Sequence, residues 1–182
     1  FLGRASADVD VELYDVGPHR FEQIMQDFGA QGVGKSYFVY KYKSFDISLP
    51  RTESKTGVGH KGFSVALATD EHEASRRRDF TINAMMIDAI SGKVLDFYGG
   101  LADLRARILR VVDPHTFVED SLRVYRAVQF AARFELCAEP RTLELMRSID
   151  ASDLSCERVK AELIKFFRAP AHRYGMMLMQ EL

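Results

Sequence analysis

Acidic and apolar residues alternate over Asp8-Val9-Asp10-Val11-Glu12-Leu13, the period of two that a strand imposes on its side chains. Asp8, Asp10 and Glu12 are expected on one face, with Val9, Val11 and Leu13 on the other. Pro18 suits the first turn of a helix carrying Phe21, Ile24, Met25 and Phe28, and Gly29 suits its stop. Residues 36–40 and 45–49 are aromatic and β-branched, which predicts paired strands turning over 41–44. Residues 51–62 (RTESKTGVGHKG) are glycine-rich and aperiodic, which predicts a mobile loop. A short polar helix from Glu71 leads into the run Arg76 to Met86. A hairpin follows, Met86 to Ile90 and Val94 to Phe97 about Ser91-Gly92, then a helix over 101–107 and a strand over 108–112. Beyond Asp113-Pro114 the pattern is helical, over 115–135, 140–149, 155–168 and 170–182, with Pro140 and Pro170 at first-turn positions. The order predicts an α/β unit over 1–112 followed by an all-α unit over 113–182.

Composition narrows the classes. Of the 182 residues 47% are hydrophobic and 28% charged, ordinary for a globular protein with a real core. The apolar runs are too short to span a bilayer, and no signal pattern opens the chain. Cys137 and Cys156 have neither CxxC spacing nor a nearby His, so they read as reduced thiols of a cytosolic protein. A formal net charge of −1 excludes a surface that is basic throughout, so any RNA footprint is local. The chain opens at Phe1 rather than Met and reads as a fragment.

Three constellations can carry chemistry. Carboxylates about 7 Å apart on one strand face repel unless a cation lies between them, and Mg²⁺ with its oxygen ligands suits Asp8 and Asp10; a solvated edge strand is the alternative. Asp46, acidic in an apolar strand, is a third carboxylate able to take a proton or complete a coordination shell. Arg76-Arg77-Arg78-Asp79 offers guanidinium forks for phosphate, while Asp79 either locks one Arg or accepts a sugar hydroxyl. On the 115–135 helix, Glu119, Asp120, Arg123 and Arg126 fall at spacings of three and four and form one charged stripe. A carboxylate beside a guanidinium makes a donor/acceptor edge able to hydrogen-bond a nucleobase.

The order DxD, RRDFTINAM, DFYGGLADL and EDSLRVYRAVQFAARF resembles the class II tRNA nucleotidyltransferases. That family comprises CCA-adding and A-adding enzymes and bacterial poly(A) polymerases. The resemblance implies a polymerase-β-like nucleotidyltransferase head with a mixed sheet, then a helical neck bearing the nucleobase-reading helix. It implies template-independent transfer of CMP and AMP from CTP and ATP to the 3′ end of tRNA, with Mg²⁺ as cofactor, in the cytoplasm and without a membrane. Asp8 and Asp10 match the metal-binding carboxylates and Asp46 the third acidic position. Arg78 and Asp79 match residues handling triphosphate and ribose. Asp120 and Arg123 match the pair that reads the base, with Glu119 and Arg126 holding it. Gly99-Gly100 matches the head–neck hinge, and Ser155-Cys156-Glu157-Arg158-Val159 the neck segment. Of the family's GGxVRD turn only the tail, Leu2-Gly3-Arg4, is present, and its helical body and tail would follow Leu182. Gln129 and Ser121 stand where Arg and Pro are common. A-only addition, poly(A) synthesis and a non-catalytic nucleotide- or RNA-binding module are the competing readings.

Overall fold

The computed structural model describes residues 9–33, 39–55, 63–152 and 154–182. These fall into two compact units, one of 9–54 with 64–74 and the other of 55 and 63 with 75–182. Among the described residues no helix is long and apolar enough to cross a membrane.

The first unit is built on a mixed sheet. Its elements are β1 (Val9–Glu12), α1 (Pro18–Asp27), β2 (Gln31–Gly32), β3 (Val39–Tyr42) and β4 (Phe45–Ser48), with strand order β1-β4-β3-β2. β1 runs parallel to β4, and the other pairings are antiparallel. Pro18 opens α1, where its missing N–H costs no hydrogen bond. Phe21 and Met25, one turn apart, bury against Leu49 with Leu13, Val16 and Ile47 around them. Phe21 also meets Tyr40 edge-on at 5.5 Å. The expected turn over 41–44 is tighter, because Lys41 and Tyr42 stay in β3 and Lys43 takes a positive φ of 54°. Residues 34–38 lie outside the described residues.

One expectation is corrected here. Residues 51–55 are not loop: β5 (Arg51–Lys55) pairs with β6 (Phe63–Leu67) as a separate ribbon. A partner strand overrides the weak β-propensity of Arg-Thr-Glu-Ser-Lys, since strand preference depends strongly on context. The remainder of the expected loop, 56–62, lies outside the described residues.

α2 (Glu71–Arg76) leads into the second unit. There follow a 3-10 turn at Thr81–Asn83, the hairpin β7 (Met86–Ile87) and β8 (Val94–Leu95), α3 (Gly100–Ala106) and β9 (Ile108–Leu109). Then come α4 (Pro114–Phe117), α5 (Leu122–Phe134), β10 (Cys137–Ala138), α6 (Pro140–Arg147), α7 (Cys156–Phe167) and α8 (His172–Glu181). Phe80, Leu109 and Val111 share one core with Phe117, Phe130 and Phe166, which is why residues 75–112 cohere with the helices after them. Fully buried Ala127 and Ala131 let neighbouring helices approach α5 closely. At the α8 crossing a Cβ on Gly175 would stand 2.7 Å from the Phe166 ring and 2.8 Å from the Val128 carbonyl oxygen.

Two helix boundaries differ from the pattern. The expected 115–135 helix is broken into α4 and α5, because residues 118–121 turn. Asp120 sits in that break and its carboxylate accepts the Leu122 N–H at 3.2 Å, the local competition with helix that Asp favours. Pro170 lies two residues ahead of α8, which begins after Ala171. Gly99, at φ +75°, supplies the left-handed residue before α3, and Asp96 accepts the N–H groups of Gly100 and Leu101 at 2.7 and 2.9 Å.

Gly100 is present for close approach, since a Cβ there would stand 2.1 Å from the Thr81 carbonyl oxygen. Backbone cannot rotate away as a side chain can. Gly100→Ala is therefore expected to destabilise by about 1–3 kcal/mol, read as a lowered urea midpoint at unchanged slope.

Candidate active site

In the first unit the parallel register sets Asp10 directly opposite Asp46 on β4, and the antiparallel register sets Asp46 opposite Lys41 on β3. One row across the sheet thus reads Asp10, Asp46, Lys41. Directly paired strand residues present side chains to the same face, about 5 Å apart. Lys41 Nζ lies 2.9 Å from Asp46 Oδ1, a largely exposed pair worth little stability. Asp8 lies outside the described residues. Glu12 accepts the Tyr14 hydroxyl at 2.8 Å. Two carboxylates from adjacent strands are hard oxygen donors suited to a divalent cation, which would displace Lys41 from Asp46. The donor set fits a metal. Among the described residues no group of three or more His, Cys, Asp or Glu forms a larger cage.

The second unit holds most of the remaining residues. Asp79 is buried at 4% exposure, and its carboxylate makes a short charge-assisted bond with Arg126 Nε. Its Oδ1 also accepts Asn83 Nδ2 at 2.6 Å and the Phe80 N–H at 3.1 Å. Asn83 Oδ1 in turn accepts the Phe80 N–H at 3.1 Å, closing the 3-10 turn. The Arg126 guanidinium lies 5.5 Å over the Phe130 ring. Asp79 locks an Arg, one of the two roles its sequence allowed. The locked residue is Arg126, which also feels the charge of Asp120.

Asp120 and Arg123 are anchored separately. Arg158 Nη2, from α7, reaches both Asp120 oxygens at 3.1 and 2.9 Å. Arg123 donates from Nη1 to the Thr116 carbonyl at 3.0 Å and from Nη2 to the Arg77 carbonyl at 2.9 Å. Its guanidinium lies 5.8 Å over Phe117. Glu119 sits in the turn after α4, its N–H bonded to the Thr116 carbonyl at 3.3 Å, so the single charged stripe is not formed. Arg78 is half-buried, its N–H bonded to the Ser75 carbonyl at 3.1 Å. Gln129, buried on α5, accepts Arg133 Nη1 at 3.3 Å. Sequence reasoning flagged the segment around Arg158 without seeing its partner, and it missed Asn83 and Thr116. The Ser155-Cys156-Glu157-Arg158-Val159 segment was the available signal.

The mixed sheet with its carboxylate row, followed by a helical unit, is a nucleotidyltransferase fold. The *Bacillus stearothermophilus* CCA-adding enzyme in complex with CTP matches it with a TM-score of 0.80 at 28% identity, over 97% of this chain and 44% of that one. The *Thermotoga maritima* CCA-adding enzyme complexed with tRNA shares the fold, with a TM-score of 0.75 at 23% identity over 99% of this chain and 43% of its own. The family model for the poly A polymerase head domain matches residues 1–110, and the chain belongs to that family. The multifunctional CCA protein of *Stenotrophomonas maltophilia* is 39% identical over 173 residues, 90% of this chain and 42% of the relative. The chain thus spans less than half the length of that relative.

Burial raises the Asp79 pKa, but the Arg126 charge and hydrogen bond, the Asn83 bond and the Arg123 charge overcome it and hold the carboxyl below the usual aspartate range. A depressed folded pKa contributes stability that is full above the unfolded value near 3.9 and is lost as pH falls through the folded value. Asp79→Asn is expected to remove this contribution and to cost toward the lower end of about 3–5 kcal/mol, because Arg126 keeps 30% exposure. Circular dichroism against pH checks both statements: below about pH 4 the wild type loses stability faster than the variant.

Proposed function

We propose that this chain is the head and neck of a metal-dependent, template-independent RNA nucleotidyltransferase. It adds CMP and AMP from CTP and ATP to the 3′ end of tRNA in the cytoplasm. One observation carries the reading: Asp10 and Asp46 stand opposite each other in a parallel strand pair, which brings two oxygen-donor carboxylates to one place. The names of the similar proteins, CCA-adding enzymes seen with CTP and with tRNA, support the substrate class. The functional division is a head over 1–112 and a neck over 113–182, in keeping with a head-domain match that ends at 110.

Asp8, Asp10 and Asp46 would hold Mg²⁺. When bound, that ion lowers the pKa of the attacking 3′-hydroxyl and offsets charge on the leaving pyrophosphate. The hydroxyl oxygen forms its bond to the α-phosphorus as the bond to pyrophosphate breaks, and a site carboxylate takes the proton. Arg78 binds the triphosphate. Asp79, held by Arg126, takes part with Arg78 in handling the triphosphate and the ribose. Asp120 accepts from, and Arg123 donates to, the edge of the incoming base, with Glu119 holding their turn.

The full-length protein, incubated with Mg²⁺, labelled CTP and ATP, and tRNA lacking its 3′ end, is expected to incorporate C and then A. ATP alone on tRNA ending in CC indicates A addition, and long tails on unrelated RNA indicate poly(A) synthesis. No incorporation would refute the enzyme. Asp10→Ala should lower transfer by about a thousandfold or more, with ATP binding changed less than about tenfold. Arg123→Ala should blur the choice among the four nucleotides; an unchanged preference removes its reading role.

A further inference from the structure

The two carbonyls that hold Arg123 belong to chain segments far apart in sequence, Arg77 before the 3-10 turn and Thr116 in α4. These segments run antiparallel. Phe80 bridges Val111, the Val112 N–H bonds the Asp79 carbonyl at 3.2 Å, and the Thr81 N–H bonds the Arg110 carbonyl at 2.9 Å. Beyond that short ladder the contact is carried by side chains. Arg76 Nε meets Asp113 Oδ2 at 2.6 Å. Asp113, buried at 7%, also caps α4, its Oδ1 accepting the His115 N–H at 2.9 Å and its carbonyl accepting the Phe117 N–H at 3.0 Å. One carboxylate therefore sets where the α4 turn starts and ties that turn to the residue beside Arg77.

We infer that Arg76 and Asp113 are positioning residues for base selection: their ion pair clasps a carbonyl bracket, Arg77 and Thr116, that orients the Arg123 guanidinium. The inference rests on the base-reading role proposed for Arg123. A guanidinium donates along fixed directions in its plane, so two carbonyls and the Phe117 ring beneath it fix that plane. Displacing either carbonyl turns the edge offered to a base. The bracket acts on discrimination rather than on phosphate binding or chemistry.

Asp113→Asn keeps a side chain that caps helices equally well and removes the charge. Arg76, 57% exposed on its side chain, tolerates Arg76→Gln without a buried vacancy. In the full-length protein, kcat/KM is measured for CTP, ATP, GTP and UTP, with thermal midpoints alongside. Each variant is expected to lower the ratio of correct to incorrect nucleotide by about three- to thirtyfold. Arg76→Lys should restore part of the ratio, and Asp113→Asn should add nothing in an Arg123→Ala background. Ratios unchanged in Asp113→Asn and Arg76→Gln, while Arg123→Lys changes them, overturn the bracket. So does an Asp113→Asn effect that persists in full without Arg123. Ratios unchanged in every variant, Arg123→Lys included, remove the base-reading role and the bracket with it.

Discussion

The ion pair between Asp79 and Arg126 is the constraint on which the second unit turns. A carboxylate at 4% exposure is costly unless every lone pair finds a donor, and Asp79 finds Arg126, Asn83 and the Phe80 N–H. Satisfying it fixes the 3-10 turn, places Phe80 in the core and ties that segment to the middle of α5. Phe80 then meets Phe117 and Phe130 edge-on at 5.5 and 5.7 Å, so the polar lock and the apolar core are adjacent parts of one construction.

The first unit solves a different problem, the placement of like charges. Parallel pairing of β1 with β4 requires a crossover, which α1 and the β2–β3 segment supply, and that pairing sets Asp10 against Asp46. Burial is small there, so the two carboxylates stay near water. Each unit therefore keeps its charges in the environment its task demands. The ion pair that grips the second unit is buried, and the carboxylate row of the first unit stays near water.

Much of this was legible in the sequence because period and punctuation are local signals. The Pro18 start of α1 and the Pro140 start of α6 appear where the pattern put them, and the hairpin is present but shorter than expected, Met86–Ile87 with Val94–Leu95, its turn taking in Ala89 and Ile90. Asp46 was legible as a carboxylate in the same sheet as β1. What was hidden depends on distant partners: Arg-Thr-Glu-Ser-Lys becomes a strand only beside Phe-Ser-Val-Ala-Leu, and the pairing of Arg126 with Asp79, 47 residues away, left no mark in the local spacing. The break between α4 and α5 was masked by the spacing of Glu119, Asp120, Arg123 and Arg126, which fits a continuous helix equally well. Spacing records which residues could share a face, and the hydrogen bonds decide whether the helix exists to give them one.

That break has an evolutionary consequence. On an unbroken helix Asp120 and Arg123 would be related by helical pitch alone, and no substitution elsewhere could move one past the other. With the helix interrupted, Asp120 answers to Arg158 on α7, while Arg123 answers to backbone in α4 and ahead of the 3-10 turn. Mutations at either anchor can adjust one side chain without touching the other residue, while the Arg123 N–H bond of 3.0 Å to the Asp120 carbonyl keeps their backbones in one turn. On the proposed reading, selectivity would rest on two side-chain anchors, each reachable from outside the site.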